Sequence, residues 1–132
     1  MSDIQTSTVS DEGFATTSQV GGFDLQIDAL DEEGPNPNAT LVATYASCFL
    51  PAFRVGGQKT GFDDLGKIQI DADADLDESD DLTEIRFDVY VEADLSDEEF
   101  AAIADLAEDI CHVHTALRDD LRADVTVVGD AF

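Results

Sequence analysis

Two thiols offer the clearest chemistry in this chain. Cys48 lies inside the apolar run Leu41-Val42-Ala43-Thr44-Tyr45-Ala46-Ser47-Cys48-Phe49-Leu50, and Cys111 opens the segment Cys111-His112-Val113-His114-Thr115-Ala116-Leu117. A thiolate attacks a peroxide oxygen to give a sulfenic acid, which a second thiol condenses to a disulfide. Such a pair reads either as a redox couple or as two small apolar core residues. Ionisation separates the readings: apolar burial raises a thiol pKa, and free N–H groups at a helix start lower it. On the residues alone Cys111, at the start of a helix, is the more acidic thiol.

Metal chemistry is the competing use of these side chains. Cys48, Cys111, His112 and His114 contain zinc-type ligands, but residues two apart on a helix do not share a face, which disfavours His112 with His114. Asp71, Asp73 and Asp75 match the first ligands of a calcium loop. Leu76 stands where that loop needs glycine, and Leu82 where it needs its last glutamate. No metal or bound cofactor is expected. Gly21-Gly22 and Gly56-Gly57 lack the extensions of a phosphate-binding loop.

The elements that must hold the cysteines are legible in the pattern. Residues 3–30 read as short strands punctuated by Gly13 and Gly21-Gly22, with Phe23, Leu25, Ile27 and Ala29 alternating with polar residues. Asn36 is a helix cap and Pro37 a first helical residue, starting a helix that runs past Cys48. Leu41, Tyr45, Cys48, Phe49 and Ala52 follow helical spacing with little charge before Arg54, so this helix should be buried nearly all round. Pro51 should kink or break it. Tyr45, Phe49 and Phe53 are candidates to line an apolar pocket beside Cys48, or plain core.

Residues 66–76 alternate strictly, as do those from Ile85 to Ala93, with Asp77–Asp81 between them as a hairpin loop. Ser96-Asp97-Glu98-Glu99 is a capping box. Phe100, Ile103, Ala107 and Ile110 stripe the helix it opens. A short helix from about His112 to Arg118 and a strand from Ala123 to Val128 complete a single domain, 1–132, of α+β class.

Charge narrows the partners. The chain carries 31 Asp plus Glu against 6 Lys plus Arg, a net charge of −25, yet 43% of it is apolar. That apolar fraction supports a folded core. The acid excess argues against nucleic acid and against anionic membranes. Self-repulsion of this size is screened to within about 3 Å at roughly 1 M salt, so the excess reads as adaptation to a salt-rich cytoplasm. No run reaches the ~18 apolar residues of a membrane span. The N-terminus Met1-Ser2-Asp3-Ile4-Gln5 has no signal-peptide pattern, and the chain is expected in the cytoplasm with reduced thiols.

Asn36-Pro37, then Cys48 eleven residues after the proline with Phe49 next, resembles the first cysteine helix of the OsmC/Ohr family. Cys111-His112-Val113-His114-Thr115-Ala116-Leu117 resembles that family's second cysteine element, usually Cys-Pro-Val-Ser followed by Ala-Leu. The separation of the cysteines and the final strand agree. The resemblance implies an intertwined homodimer in which long buried helices lie between antiparallel sheets. It implies a thiol peroxidase acting on small organic hydroperoxides, with Cys48 attacking, Cys111 resolving and a lipoyl-type dithiol as reductant. In active relatives an arginine on an early strand and a glutamate near the start of the first helix activate the thiol. Here no Arg or Lys precedes Arg54, and Asn38 stands at the glutamate position. Arg54 lies six residues past Cys48 on another helical face. Asn38, Tyr45, Phe49 and His112 are the candidate supporting residues, and His112, His114 and Arg118 could approach from elsewhere or from the partner chain. The alternative function is a non-peroxidatic dimer that binds a small apolar or thiol-reactive ligand.

Overall fold

Asn36 starts the longest element as its sequence requires. Its Oδ1 accepts the Ala39 N–H at 2.8 Å, Pro37 takes the first helical position, and helix α1 runs Pro37–Lys59. The computed structural model describes residues 2–132. Its contacts divide the chain into two compact units, one ending at Leu41 and the other running Val42–Phe132.

The N-terminal unit is a meander of β1 (Thr6–Val9), β2 (Ala15–Val20) and β3 (Phe23–Asp28), antiparallel in that order. Val20 pairs with Phe23 across Gly21-Gly22, whose φ angles of 57° and 99° give the two-residue turn that the strand twist requires. The Asp28 carboxylate accepts the N–H groups of Leu30 at 2.9 Å and Glu33 at 3.0 Å. Those two hydrogen bonds, Leu30 first, hold its pKa below the usual carboxylate range. Phe14, Phe23 and Leu25 remain exposed.

The C-terminal unit contains β4 (Ile68–Leu76), β5 (Leu82–Val91), α2 (Asp97–Ile110), α3 (His112–Ala116), one 3₁₀ turn (Asp119–Leu121) and β6 (Asp124–Val128). β4 and β5 pair as a hairpin, and Ile70↔Val89, Ala72↔Phe87 and Ala74↔Ile85 put the predicted apolar residues on one face. β6 joins β5 in parallel, because two helices intervene and carry the chain back to the same end of the sheet. The capping box forms as expected: Ser96 Oγ accepts the Glu99 N–H at 3.1 Å, and Glu99 Oε1 accepts the Ser96 N–H at 2.9 Å.

Of the kink or break expected at Pro51, the break does not occur: α1 continues through Pro51, whose lost hydrogen bond is outweighed by the burial of Phe49, Ala52 and Phe53 around it. A second expectation for α1 is corrected, for it is not buried all round. Its covered stripe is Val42, Tyr45, Phe49, Ala52, Phe53, Gly56 and Gly57, while Leu41 and Val55 each stay 37% exposed. Within one chain the core lies on one side only. Tyr45 and Phe49 meet Phe87 at ring-centroid distances of 4.6 and 5.5 Å.

α1 approaches α2 closely at Gly56. A Cβ there would stand 2.8 Å from the Ile103 carbonyl oxygen, a backbone atom with little freedom to yield. Gly56→Ala should therefore lower stability by about 1–3 kcal/mol, read as a lower denaturation midpoint at an unchanged denaturant slope. An unchanged midpoint would mean that the two helices separate at no cost.

Candidate functional site

The two cysteines come together. Cys48 sits at the middle of α1, partly exposed. Cys111 is wholly buried between α2 and α3, and both are free thiols. Cys111 ends α2, its N–H donating to the Ala107 carbonyl at 2.8 Å, and simultaneously caps α3, its Sγ accepting the His114 N–H at 3.5 Å. Of the first amides of α3, that of His112 reaches Cys48 and that of Val113 lies between the two sulfurs and serves both.

The electrostatics follow from this exchange. Burial pushes the Cys48 thiol up, but the Val113 N–H, the Cys111 thiol and the His112 N–H together outweigh it and leave its pKa below the ordinary thiol value. Burial pushes Cys111 up to about 11, aided by its role as hydrogen-bond donor to Cys48 and by the Cys48 charge. The expectation that Cys111 is the more acidic thiol is therefore wrong. It holds the helix start, but its deeper burial outweighs the amides it receives, whereas at Cys48 the amides prevail.

The supporting candidates separate. Tyr45 is fully buried, and its hydroxyl meets His114 Nδ1 at 2.6 Å and accepts the Ala123 N–H at 3.0 Å. Phe49 is plain core, stacked among Phe53 and Phe87. His112 keeps its imidazole exposed and contributes its main-chain N–H. Asn38 lies in the first turn of α1, ten residues ahead of Cys48. Of the two arginines, Arg54 is exposed, and Arg118 pairs with Asp120 at 3.5 Å.

Arg122 was not foreseen. Its Nε donates to the His114 carbonyl at 3.0 Å and Nη2 to the Thr115 carbonyl at 3.3 Å, while Nη1 pairs with Asp119 at 2.9 Å. It thus binds the C-terminal carbonyls of α3, where a cation belongs. Nothing in its sequence neighbourhood marks it, since it belongs to no motif. Among the described residues there is no His, Cys, Asp and Glu grouping able to hold a metal. Nor is any described helix long and apolar enough to cross a membrane.

Known proteins resemble this chain in sequence and in fold. The family described as OsmC-like protein matches residues 30–126. An uncharacterized protein of Haloferax volcanii is 85% identical over 132 residues, covering 100% of each chain. An OsmC-like protein of Mycoplasma pneumoniae has the same fold with a TM-score of 0.85 at 19% identity, covering 97% of each chain. The organic hydroperoxide resistance protein OhrB of Bacillus subtilis follows at a TM-score of 0.70 and 21% identity, covering 95% of this chain and 97% of its own.

Proposed function

Since this chain belongs to the OsmC-like protein family, we propose that it reduces organic hydroperoxides, with Cys48 attacking and Cys111 resolving. The observation that carries this reading is the opposite displacement of two touching thiols, Cys48 downward and Cys111 up to about 11. A nucleophile must be ionised at working pH, and its partner must keep a proton until a sulfenic acid forms.

The Cys48 thiolate attacks the outer peroxide oxygen, the O–O bond breaks, and the alkoxide leaves as alcohol after taking a proton. Cys111 then attacks the Cys48 sulfenic acid, expelling water and forming the disulfide. A small dithiol of lipoyl type returns two electrons and two protons by exchange, becoming a cyclic disulfide. No bound cofactor enters the balance.

In this reading residues 1–132 act as one OsmC-like domain within a homodimer. The exposed apolar residues Leu41 and Val55 of α1, and Phe14, Phe23 and Leu25 of the N-terminal sheet, support a second copy as their cover. The acid excess supports a salt-rich cytoplasm as the working compartment.

The test is titration of free thiols in high salt after one equivalent of cumene hydroperoxide. Wild type should lose both thiols quickly, and the Cys111→Ser variant should accumulate a dimedone-trappable sulfenic acid. Thiols that persist for hours would overturn the peroxidase reading. They would favour the alternative, a dimer whose cysteines bind an apolar or thiol-reactive ligand, an option kept open by Asn38 and by the lack of Arg or Lys before Arg54.

A further inference from the structure

α1 and the Cys111–Ala116 turn are joined at two levels, and the levels share one spacing. Cys48 touches Cys111, and Tyr45 touches His114. Tyr45 precedes Cys48 by three residues on its helix, and His114 follows Cys111 by three. The thiol pair and the tyrosine–histidine pair are therefore neighbouring rungs between the same two elements. The second rung is dry: Tyr45 is 0% exposed, and His114 and Ala123 are 8% exposed each.

The hydrogen bonds of the lower rung fix its polarity. Tyr45 Oη already accepts the Ala123 N–H at 3.0 Å, so its own hydrogen is best used on His114 Nδ1 at 2.6 Å. That assignment makes His114 neutral with its hydrogen on Nε2, in keeping with burial, which pushes its pKa down. Arg122 grips the other end of α3 through the His114 and Thr115 carbonyls. A five-residue helix has too few internal hydrogen bonds to stay formed alone. Its position depends on these external ties.

We propose that Tyr45, His114 and Arg122 are positioning residues that clamp α3 so that its His112 and Val113 N–H groups stay on the Cys48 sulfur. Main-chain amides held by this clamp take the place of a charged activating side chain. The inference rests on Cys48 being the reactive thiol of the proposed peroxidase, but it concerns thiolate formation and not peroxide. None of the three residues touches the reacting sulfur. Each acts through the turn that does.

The experiment is the pH profile of Cys48 alkylation by monobromobimane in a Cys111→Ser background at high salt, where Cys48 is the sole thiol. Tyr45→Phe and His114→Ala should move the profile to higher pH and slow alkylation at neutral pH about tenfold, the thiolate lost when a hydrogen bond to charge is weakened. His114→Asn should restore it, because its side-chain oxygen can accept the Tyr45 hydroxyl. Tyr45→Phe leaves a buried Ala123 N–H unpaired and tests folding as well, so Arg122→Gln, a change at a half-exposed side chain, is the second probe. Near-ultraviolet circular dichroism identifies the folded variants. A profile unmoved in folded Tyr45→Phe, His114→Ala and Arg122→Gln overturns the inference, whatever happens to their melting temperatures. The expected shifts in the Cys111→Ser background, together with a wild type inert to cumene hydroperoxide, would sink the peroxidase reading and leave the clamp standing.

Discussion

A Cys48→Ser chain is expected to react with cumene hydroperoxide at least about tenfold more slowly at pH 7 than a Cys111→Ser chain. The thiol left in Cys48→Ser is Cys111, whose pKa burial and the Cys48 contact push up to about 11. At pH 7 such a group is ionised in roughly one molecule in ten thousand. Replacing Cys48 removes its share of that upward push and so eases part of the deficit. Burial, the larger cause, remains. The thiol left in Cys111→Ser still has the His112 and Val113 N–H groups, and the serine hydroxyl can donate where the Cys111 thiol did.

The pH dependence separates the variants further. A thiolate is populated above its pKa, so a lowered pKa brings the plateau to lower pH. Cys111→Ser should therefore level off below the range of a free thiol. Cys48→Ser should keep rising tenfold per pH unit into strongly alkaline solution. Quenched-flow mass spectrometry of the oxidised chains gives both rates. Equal rates at pH 7, or a faster Cys48→Ser, would show that the amides of α3 do not decide which sulfur reacts.

That assignment was only half legible in the residues. Asn36-Pro37, the Ser96 capping box and the alternation of β4 and β5 act within a few residues of themselves, so local chemistry determines them. The pairing of Cys48 with Cys111 followed from family resemblance. Which of the two receives the helix-start amides is a tertiary fact. Reading Cys111 as the acidic thiol assumed that a capping side chain takes its own helix's first N–H groups. Cys111 does take the His114 N–H, at 3.5 Å, but the His112 amide serves Cys48 on α1 and the Val113 amide is shared between the two sulfurs. Tyr45 looked like core from its apolar surroundings, and its hydroxyl acquires a role only because His114 and Ala123 arrive from sixty-nine and seventy-eight residues away. Arg122 gave no local signal, because its partners are main-chain carbonyls, which every residue possesses.

Removing salt should unfold this protein well below its high-salt melting temperature. The outer face of β4 and β5 shows why. Asp71 stands opposite Asp88, and Asp75 opposite Glu84. Arg86 alone answers for Asp73 at 2.6 Å, Asp75 at 2.9 Å and Glu84 at 3.3 Å. No described ion pair includes Asp71 or Asp88, and the whole chain has 31 acidic against 6 basic side chains. Two like charges about 5 Å apart in water repel by roughly 0.8 kcal/mol, and many weaker pairs add to this. At roughly 1 M salt only charges within about 3 Å interact strongly, whereas at 0.01 M the range is about 30 Å and nearly every carboxylate feels the others. A loss of several kcal/mol corresponds to a fall of about 15–20 °C in melting temperature for a chain of this size. Far-ultraviolet circular dichroism against KCl concentration measures it. The double change Asp71→Asn and Asp88→Asn should flatten the dependence by relieving one opposed pair, and Arg86→Gln should steepen it by leaving three carboxylates unanswered. A melting temperature indifferent to KCl would refute the electrostatic account of the acid excess. A dependence that these substitutions leave untouched would instead place the salt effect in general hydration of the surface, away from the repulsion across β4 and β5.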